Sequence, residues 1–231
     1  MKLSSLLRKH TNDFHSVIPS ELQHGPAYVF DLTAASSDFS SEQFNDIEEL
    51  MNHSNALLSK NKAVIGIGPY AEKRSIYQRD ELFTADARDI HLGIDLTVTP
   101  GTLVYSPTDA ILHSVKNNGR AGDYGPVVIL QHQIMDCIFY TLYGHLGAEC
   151  LSSLHAGQVI KRGEAFATVG KHTENGGWPP HLHFQVIQCV GDAQGDFPGV
   201  TNAENQSRDL ANCPDPNLIL NIHALHTGFV N

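Results

Sequence analysis

Between residues 62 and 190 the sequence breaks into short β-rich runs separated by glycine, proline, asparagine and aspartate turns. This texture restricts the fold more than any other feature. The runs are 63–67, 103–105, 127–130, 137–142 and 181–187. Residues of these types suit a pleated, half-buried surface, and short turns bring successive strands back beside one another. The expectation is a mainly β fold, with an antiparallel sheet over residues 61–190. Residues 1–60 read as an N-terminal mixed, partly helical lobe. Residues 191–231 read as a C-terminal loop, rich in Gly, Asp, Asn and Pro over 191–217, followed by a closing helix from Asn217 to Leu225 packed on the core.

In the N-terminal lobe, Ser40 followed by Gln43 fits a capping box, and Phe44, Ile47, Leu50 and Met51 repeat at helical spacing. The spacing predicts an amphipathic helix over 41–60 whose stripe faces a core. A faint repeat lies further on: the segment starting at Gly101 (glycine turn, short strand, polar turn, second strand) is echoed from Gly157. Lipoyl and biotinyl carriers use such hairpins, but they need a lysine at the tip. Here the tips are Thr108-Asp109 and Arg162-Gly163-Glu164, so the carrier reading fails.

Composition excludes several partners. The chain has 231 residues, 41% of them hydrophobic, enough for a real core. Its 25 acidic and 15 basic side chains give a net charge of −10. That balance disfavours a nucleic-acid partner, which needs a concentrated basic face, and an anionic membrane or wall polymer as an electrostatically steered partner. Met1 to Phe14 holds no apolar run suited to a signal peptide, and no stretch reaches membrane-spanning length. Cys137, Cys150, Cys189 and Cys213 show no CxxC or disulfide-framework spacing and read as reduced, buried thiols. A cytoplasmic location is expected, with the oligomeric state left open.

Chemistry concentrates in two local patterns. One is His91-Leu92-Gly93-Ile94-Asp95, an HxGxD. The other is His181-Leu182-His183-Phe184, an HxH inside an apolar strand-like run. Residues i and i+2 of a strand project from one face, so His181 and His183 enter the same space. A catalytic zinc takes three protein ligands and keeps one position open. His91, Asp95 and one of the HxH pair offer two imidazoles and a carboxylate, a donor set suited to that metal. With 14 histidines in the chain either pattern alone is weak; a third element, Tyr143-Gly144-His145-Leu146, strengthens both.

Taken in order, HxGxD, YxHL and HLHF resemble the signatures of the lysostaphin-type zinc metallopeptidase (LytM/lysostaphin-like) family. The glycine-rich turns Pro100-Gly101-Thr102, Asp123-Tyr124-Gly125 and the run from His155 to Gly163 match too, so the likeness covers about residues 88–188. The resemblance implies a duplicated-hybrid-motif core and one zinc ion held by His91, Asp95 and His183. It places His145 and His181 beside the open coordination position as the catalytic proton-transfer residues, without dividing the work between them. The implied activity is zinc-dependent hydrolysis of a peptide or small amide by an activated water, with peptidoglycan-derived peptides as the leading substrates. A non-catalytic zinc-retaining module and a zinc amidohydrolase of small-molecule metabolism are the alternatives.

His132 reads as a hydrogen-bonded structural side chain, and His113, His155 and His172 as surface or loop residues. Gly93 reads as a bend that lets His91 and Asp95 converge. The chain also departs from the family pattern. Ala110 stands where a glycine is usual, and Asn175-Gly-Gly-Trp-Pro-Pro replaces the Ser/Thr-Gly approach to HLHF. Trp178 is placed either as a cleft wall or as simple packing. No tyrosine falls within 85–90, leaving Tyr70, Tyr77 and Tyr143 as stand-ins for the one some relatives use. The Tyr124-Gly-Pro and Gly-Trp-Pro-Pro contexts look closer to an intracellular branch found fused to kinase-like and aminotransferase domains.

Overall fold

An eight-stranded sheet organises the computed structural model, which describes residues 2–40, 43–79 and 81–226. In chain order the strands are β1 (Ala27–Val29), β2 (Ile65–Gly68), β3 (Ile90–His91), β4 (Ile94–Thr97), β5 (Leu103–Tyr105) and β6 (Ala110–Asn118). They continue with β7 (Gly125–Ile134), β8 (Cys137–Gly144), β9 (Val159–Ile160), β10 (Ala165–Thr168), β11 (His181–Ile187) and β12 (Val200–Thr201). The large sheet runs β1-β2-β4-β11-β8-β7-β6-β9. Its pairings are antiparallel except for β1 with β2, which are parallel, so the mainly β sheet is mixed rather than wholly antiparallel. A tight turn cannot join parallel neighbours. Here the connection runs through the helix Ile47–Lys60.

The central strands read as unbroken apolar runs because both faces of the sheet are covered. Val128 and Leu130 enter a core with Ile94, Leu96, Tyr143 and Phe184, while Val127 and Ile129 enter a second core with Leu142, Ile187 and Cys213. Each such side chain contributes about 1.5–3 kcal/mol by leaving water. The second cover comes from a segment expected to be a long loop. Residues 191–217 instead contain β12 and the helix Gln206–Asn212, and Phe197 and Leu210 pack against the second core. Asn217–Leu220 forms the closing helix, which ends at Asn221 in the left-handed conformation before a 3-10 turn at His223–Leu225.

The two hairpins of the repeat pair reciprocally. The first strand of one lies against the second strand of the other, β5 with β10 and β6 with β9, all antiparallel. A duplicated unit that cannot cover its own edge does so with its copy.

In the N-terminal region the capping box is present: Ser40 N–H donates to Gln43 Oε1 (2.8 Å) and Gln43 N–H to Ser40 Oγ (3.3 Å). It closes a 3-10 turn, Gln43–Asn45, while the α-helix starts later, at Ile47. Asp46 is the cap that decides this, its Oδ1 accepting from Glu48 N–H and Glu49 N–H at 2.9 and 3.0 Å. Residues 41 and 42, within the helix expected over 41–60, lie outside the described residues. Leu3, Leu7, Val17 and Ile18 join the first core, so this region packs against the strands. Among the described residues no helix is long and apolar enough to cross a membrane. All four cysteines are free; Cys150 and Cys213 are buried, but Cys137 is half-buried and Cys189 exposed, because both stand beside solvent-facing turns.

His132 is a core residue. Its Nδ1 lies 3.2 Å from Asp109 O and its Nε2 2.7 Å from Thr141 Oγ1, and the ring stacks on Phe139 at 5.0 Å. Burial pulls its pKa down to about 4. The unfolded chain takes up this proton near the reference value of about 6.5, the folded chain only near 4. As pH falls through that window the unfolded state binds more protons, so stability is lost on acidification, by roughly 3 kcal/mol at most from this ring. The check is an NMR titration of the His132 imidazole, with an expected midpoint near 4; a midpoint near the reference value would contradict the buried neutral assignment.

Candidate active site

Strand register brings the two sequence motifs together. β11 lies between β4 and β8, with His183 directly opposite Asp95 on one side and Gly144 on the other. His91 ends β3 and pairs with Val200. His91 Nε2 lies 3.0 Å from His183 Nδ1 and 3.3 Å from Asp95 Oδ1, and His183 Nδ1 lies 3.1 Å from Asp95 Oδ1. Among the described residues this trio is the one set of three or more His, Cys, Asp or Glu side chains placed to share a metal ion.

Hydrogen bonds behind the trio settle which atoms face inward. His91 Nδ1–H donates to Pro69 O at 3.0 Å, which leaves Nε2 as a lone pair. Gln185 donates its amide N–H to Pro198 O (3.1 Å), so its Oε1 accepts from His183 Nε2–H at 2.9 Å and Nδ1 is the free lone pair. Burial, reinforced by the Arg74 guanidinium, pulls His91 down to about 4 and keeps it neutral. Burial alone would raise the Asp95 carboxyl, but His91, Arg74 and His181 outweigh it and hold Asp95 well below the usual carboxylate range. Two imidazole nitrogens and a carboxylate oxygen therefore converge, with the outer ring nitrogens engaged by Pro69 O and Gln185 Oε1. Such a cluster calls for a cation. Tetrahedral zinc with bonds of about 2.0–2.2 Å separates its ligand atoms by about 3.3 Å or slightly more, close to the spacing found here.

Gly93 serves this site through space. A Cβ there would stand 2.6 Å from His183 Cε1 and 2.7 Å from its Nε2, so only glycine lets the ring lie against the chain. The expected bend is present as well, at Gly93 between β3 and β4.

His145 and His181 stand beside the trio, with ring centroids 4.2 Å apart. Each donates Nδ1–H to a carbonyl, His145 to Asn175 O (2.8 Å) and His181 to Pro179 O (2.7 Å). Each therefore keeps an Nε2 lone pair; that of His181 is 3.7 Å from Asp95 Oδ1. Burial, then the neighbouring His181, lowers the His145 pKa well below the ordinary value, and burial lowers that of His181. Both are neutral proton acceptors at physiological pH. His145 adopts φ 62°, a left-handed conformation uncommon outside glycine, pinned by its N–H to Tyr124 O (2.9 Å) and its carbonyl to Gly170 N–H (2.9 Å).

The Asn175-Gly-Gly-Trp-Pro-Pro departure builds this side of the cleft. Asn175 is fully buried; its side chain bonds Trp178 N–H and Trp178 O, each at 3.1 Å, and so fixes the carbonyl that orients His145. Trp178 lines the cleft and donates Nε1–H to Asp123 O. Of the three tyrosines considered, Tyr77 lines the cleft, whereas Tyr143 is wholly buried and Tyr70 donates its hydroxyl to Cys213 O. His132 stands apart, in the core, and His113, His155 and His172 lie half-buried or exposed on the outer strands and turns.

Sequence reasoning missed Arg74, Tyr124 and Gln185. Gln185 was within reach: it continues the His181, His183 alternation on one face of β11. Tyr124 packs its ring 5.2 Å from that of His183, and only tertiary proximity reveals it. Arg74 carries no local signal. It is 3% exposed, donates Nη1–H to Asp95 Oδ2 (2.6 Å) and Nε–H to Glu72 Oε2 (2.9 Å), and leaves Asp95 Oδ1 for the trio. Arg74→Met removes a buried cation from two half-buried carboxylates, so a loss of up to about 3–5 kcal/mol is expected. Urea unfolding checks this, and an unchanged midpoint would contradict the pairing.

Residues 89–195 match the model of peptidase family M23. They form an M23 peptidase domain. A curated relative from Haemophilus influenzae, described as an uncharacterized metalloprotease, is 36% identical over 123 residues, which is 50% of this chain and 24% of the relative. The peptidoglycan DD-endopeptidase ShyA of Vibrio cholerae is 31% identical over 97 residues, 42% of this chain and 20% of that protein. The chain thus aligns with about a quarter or less of the length of these relatives. Among solved structures, a zinc-containing peptidase from Vibrio cholerae is 27% identical with a TM-score of 0.35, covering 52% of this chain and 31% of that one. The M23 domain contains Asp95, His91, His145, His181 and His183, whereas Arg74 and Tyr77 precede it.

Proposed function

We propose that the chain is a zinc-dependent peptidase in which His91, Asp95 and His183 hold one zinc ion, and His145 and His181 move protons at the scissile amide. The convergence of two imidazole nitrogens and a carboxylate oxygen beside two neutral imidazoles carries this reading. The kinship of the M23 domain with metallopeptidases supports it. When bound, zinc supplies a Lewis acid that polarises a carbonyl and lowers the pKa of water.

The protein's own residues do the rest. His91 and His183 present single lone pairs because Pro69 O and Gln185 Oε1 hold their outer protons. Arg74 holds Asp95 Oδ2, which leaves Oδ1 as the carboxylate oxygen that would hold the ion. The free Nε2 of His145 or of His181 accepts a proton from water and returns it to the leaving nitrogen. Once protonated, either ring can donate to the oxygen of the tetrahedral intermediate. Asn175 O and Pro179 O keep both rings in the tautomer this requires.

The substrate is a peptide or small amide, and peptides derived from peptidoglycan are the first to test, in view of the similarity to a peptidoglycan endopeptidase. Turnover of soluble muropeptides by zinc-loaded protein, abolished by chelation and restored by zinc, is the expected result. Full zinc occupancy with no cleavage of any amide would instead favour the non-catalytic module.

A further inference from the structure

The cleft does not end at the histidines. Phe30, Phe39, Leu50, Ile76, Tyr77 and Phe83 pack with Trp178 and Val200 into one aromatic-rich cluster, separate from the two cores of the sheet. All of these side chains line the same cavity as Asp95, His145, His181 and His183. The half-buried Leu32 lines it as well. The first six precede residue 89, so the chain adds this wall to its M23 domain from outside the matched region.

We propose that this wall is a substrate subsite that takes a bulky apolar group, aromatic or branched aliphatic, on a residue flanking the scissile amide. The inference rests on the peptidase reading for its site and deepens it to a substrate class. Three observations commit the occupant to substrate. The apolar wall is continuous with the cleft that holds the proposed catalytic histidines, so whatever fills it sits beside them. Tyr77 joins the two parts: its hydroxyl is 3.2 Å from Arg74 Nη1, behind Asp95, while its ring lies 4.8 Å from that of Phe83 in the apolar part. Trp178 does the same, its ring 6.2 Å from that of His145 and 6.4 Å from that of Tyr77. Apolar cavities lined by aromatics and a few convergent polar groups are the usual form of a small-molecule site. Burying one large apolar side chain there is expected to favour its bearer about tenfold to a hundredfold over an alanine analogue.

Trp178 is the sole tryptophan of the chain, so its fluorescence reports occupancy of this wall without requiring turnover. Zinc-loaded full-length protein would be titrated with N-acetyl-phenylalaninamide and with N-acetyl-alaninamide, exciting tryptophan alone. The expected result is at least about tenfold tighter binding of the phenylalanine probe, a preference that Leu32→Asp removes while zinc content stays unchanged. Equal affinities, or no fluorescence change with either probe, would overturn the subsite, as would a Leu32→Asp variant that binds zinc and keeps the preference. If Leu32→Asp does not fold, the wild-type comparison decides alone. Hydrolysis separates the two readings. Cleavage of amides without apolar preference leaves the peptidase standing and removes the subsite; preferential binding without any cleavage does the reverse.

Discussion

Asp95→Ala and His183→Ala are expected to leave purification without zinc, against one tightly held ion per chain in the unsubstituted protein. Three protein ligands leave a catalytic site none to spare. Losing Asp95 also removes the single negative charge among the donors and leaves the Arg74 guanidinium buried without one of its two carboxylates. Losing His183 removes the only nitrogen that β11 contributes to the trio. Acid is expected to release the ion from the intact site as well. Protons compete for His91 Nε2 and His183 Nδ1, and a protonated imidazole is no ligand, so affinity falls as pH falls. Elemental analysis of the purified variants is the measurement. Unchanged zinc in both would remove the ligand assignment.

His145→Ala and His181→Ala should behave in the opposite way. Neither belongs to the trio, so zinc should stay, while hydrolysis of a confirmed substrate drops by about 10² to 10⁴, the usual contribution of a lost acid–base group. The nearness of the two rings makes their roles interdependent, so the double variant is expected to lose less than the product of the single losses. Zinc loss in either variant would mean that the ligand set inside the HxH is misassigned. Undiminished turnover in both would dismiss the proton-transfer roles.

Much of the sheet was legible beforehand because it depends on local alternation and turn chemistry. His181–Ile187 forms β11 with the expected bounds, and Leu103–Tyr105 forms β5. The Ile47–Lys60 helix was legible in kind but not in its start, because Ser40 and Asp46 both offer a cap and the second one wins. The parallel partnership of β1 with β2 was not legible: it joins residues across an intervening helix, and no periodicity marks which edge a three-residue strand will find. Nor was the order within 191–217, where a polar composition conceals a helix that needs the sheet's second face to pack on.

The sequence by itself named the candidate donor residues. HxGxD, YxHL and HLHF name five side chains whose types suit zinc and proton transfer, and the two-residue period of a strand already sends His181 and His183 to one face. The tertiary structure alone decided what those side chains can do. Register places Asp95 opposite His183. Carbonyls from Pro69, Asn175 and Pro179 choose the imidazole tautomers. Arg74, without any motif, selects the free oxygen of Asp95, and Phe30, Phe39, Tyr77 and Phe83 wall the cleft with aromatic rings. Residue type is written locally, but lone-pair direction, protonation and cavity shape depend on partners distant in the chain, and only packing brings those partners into contact.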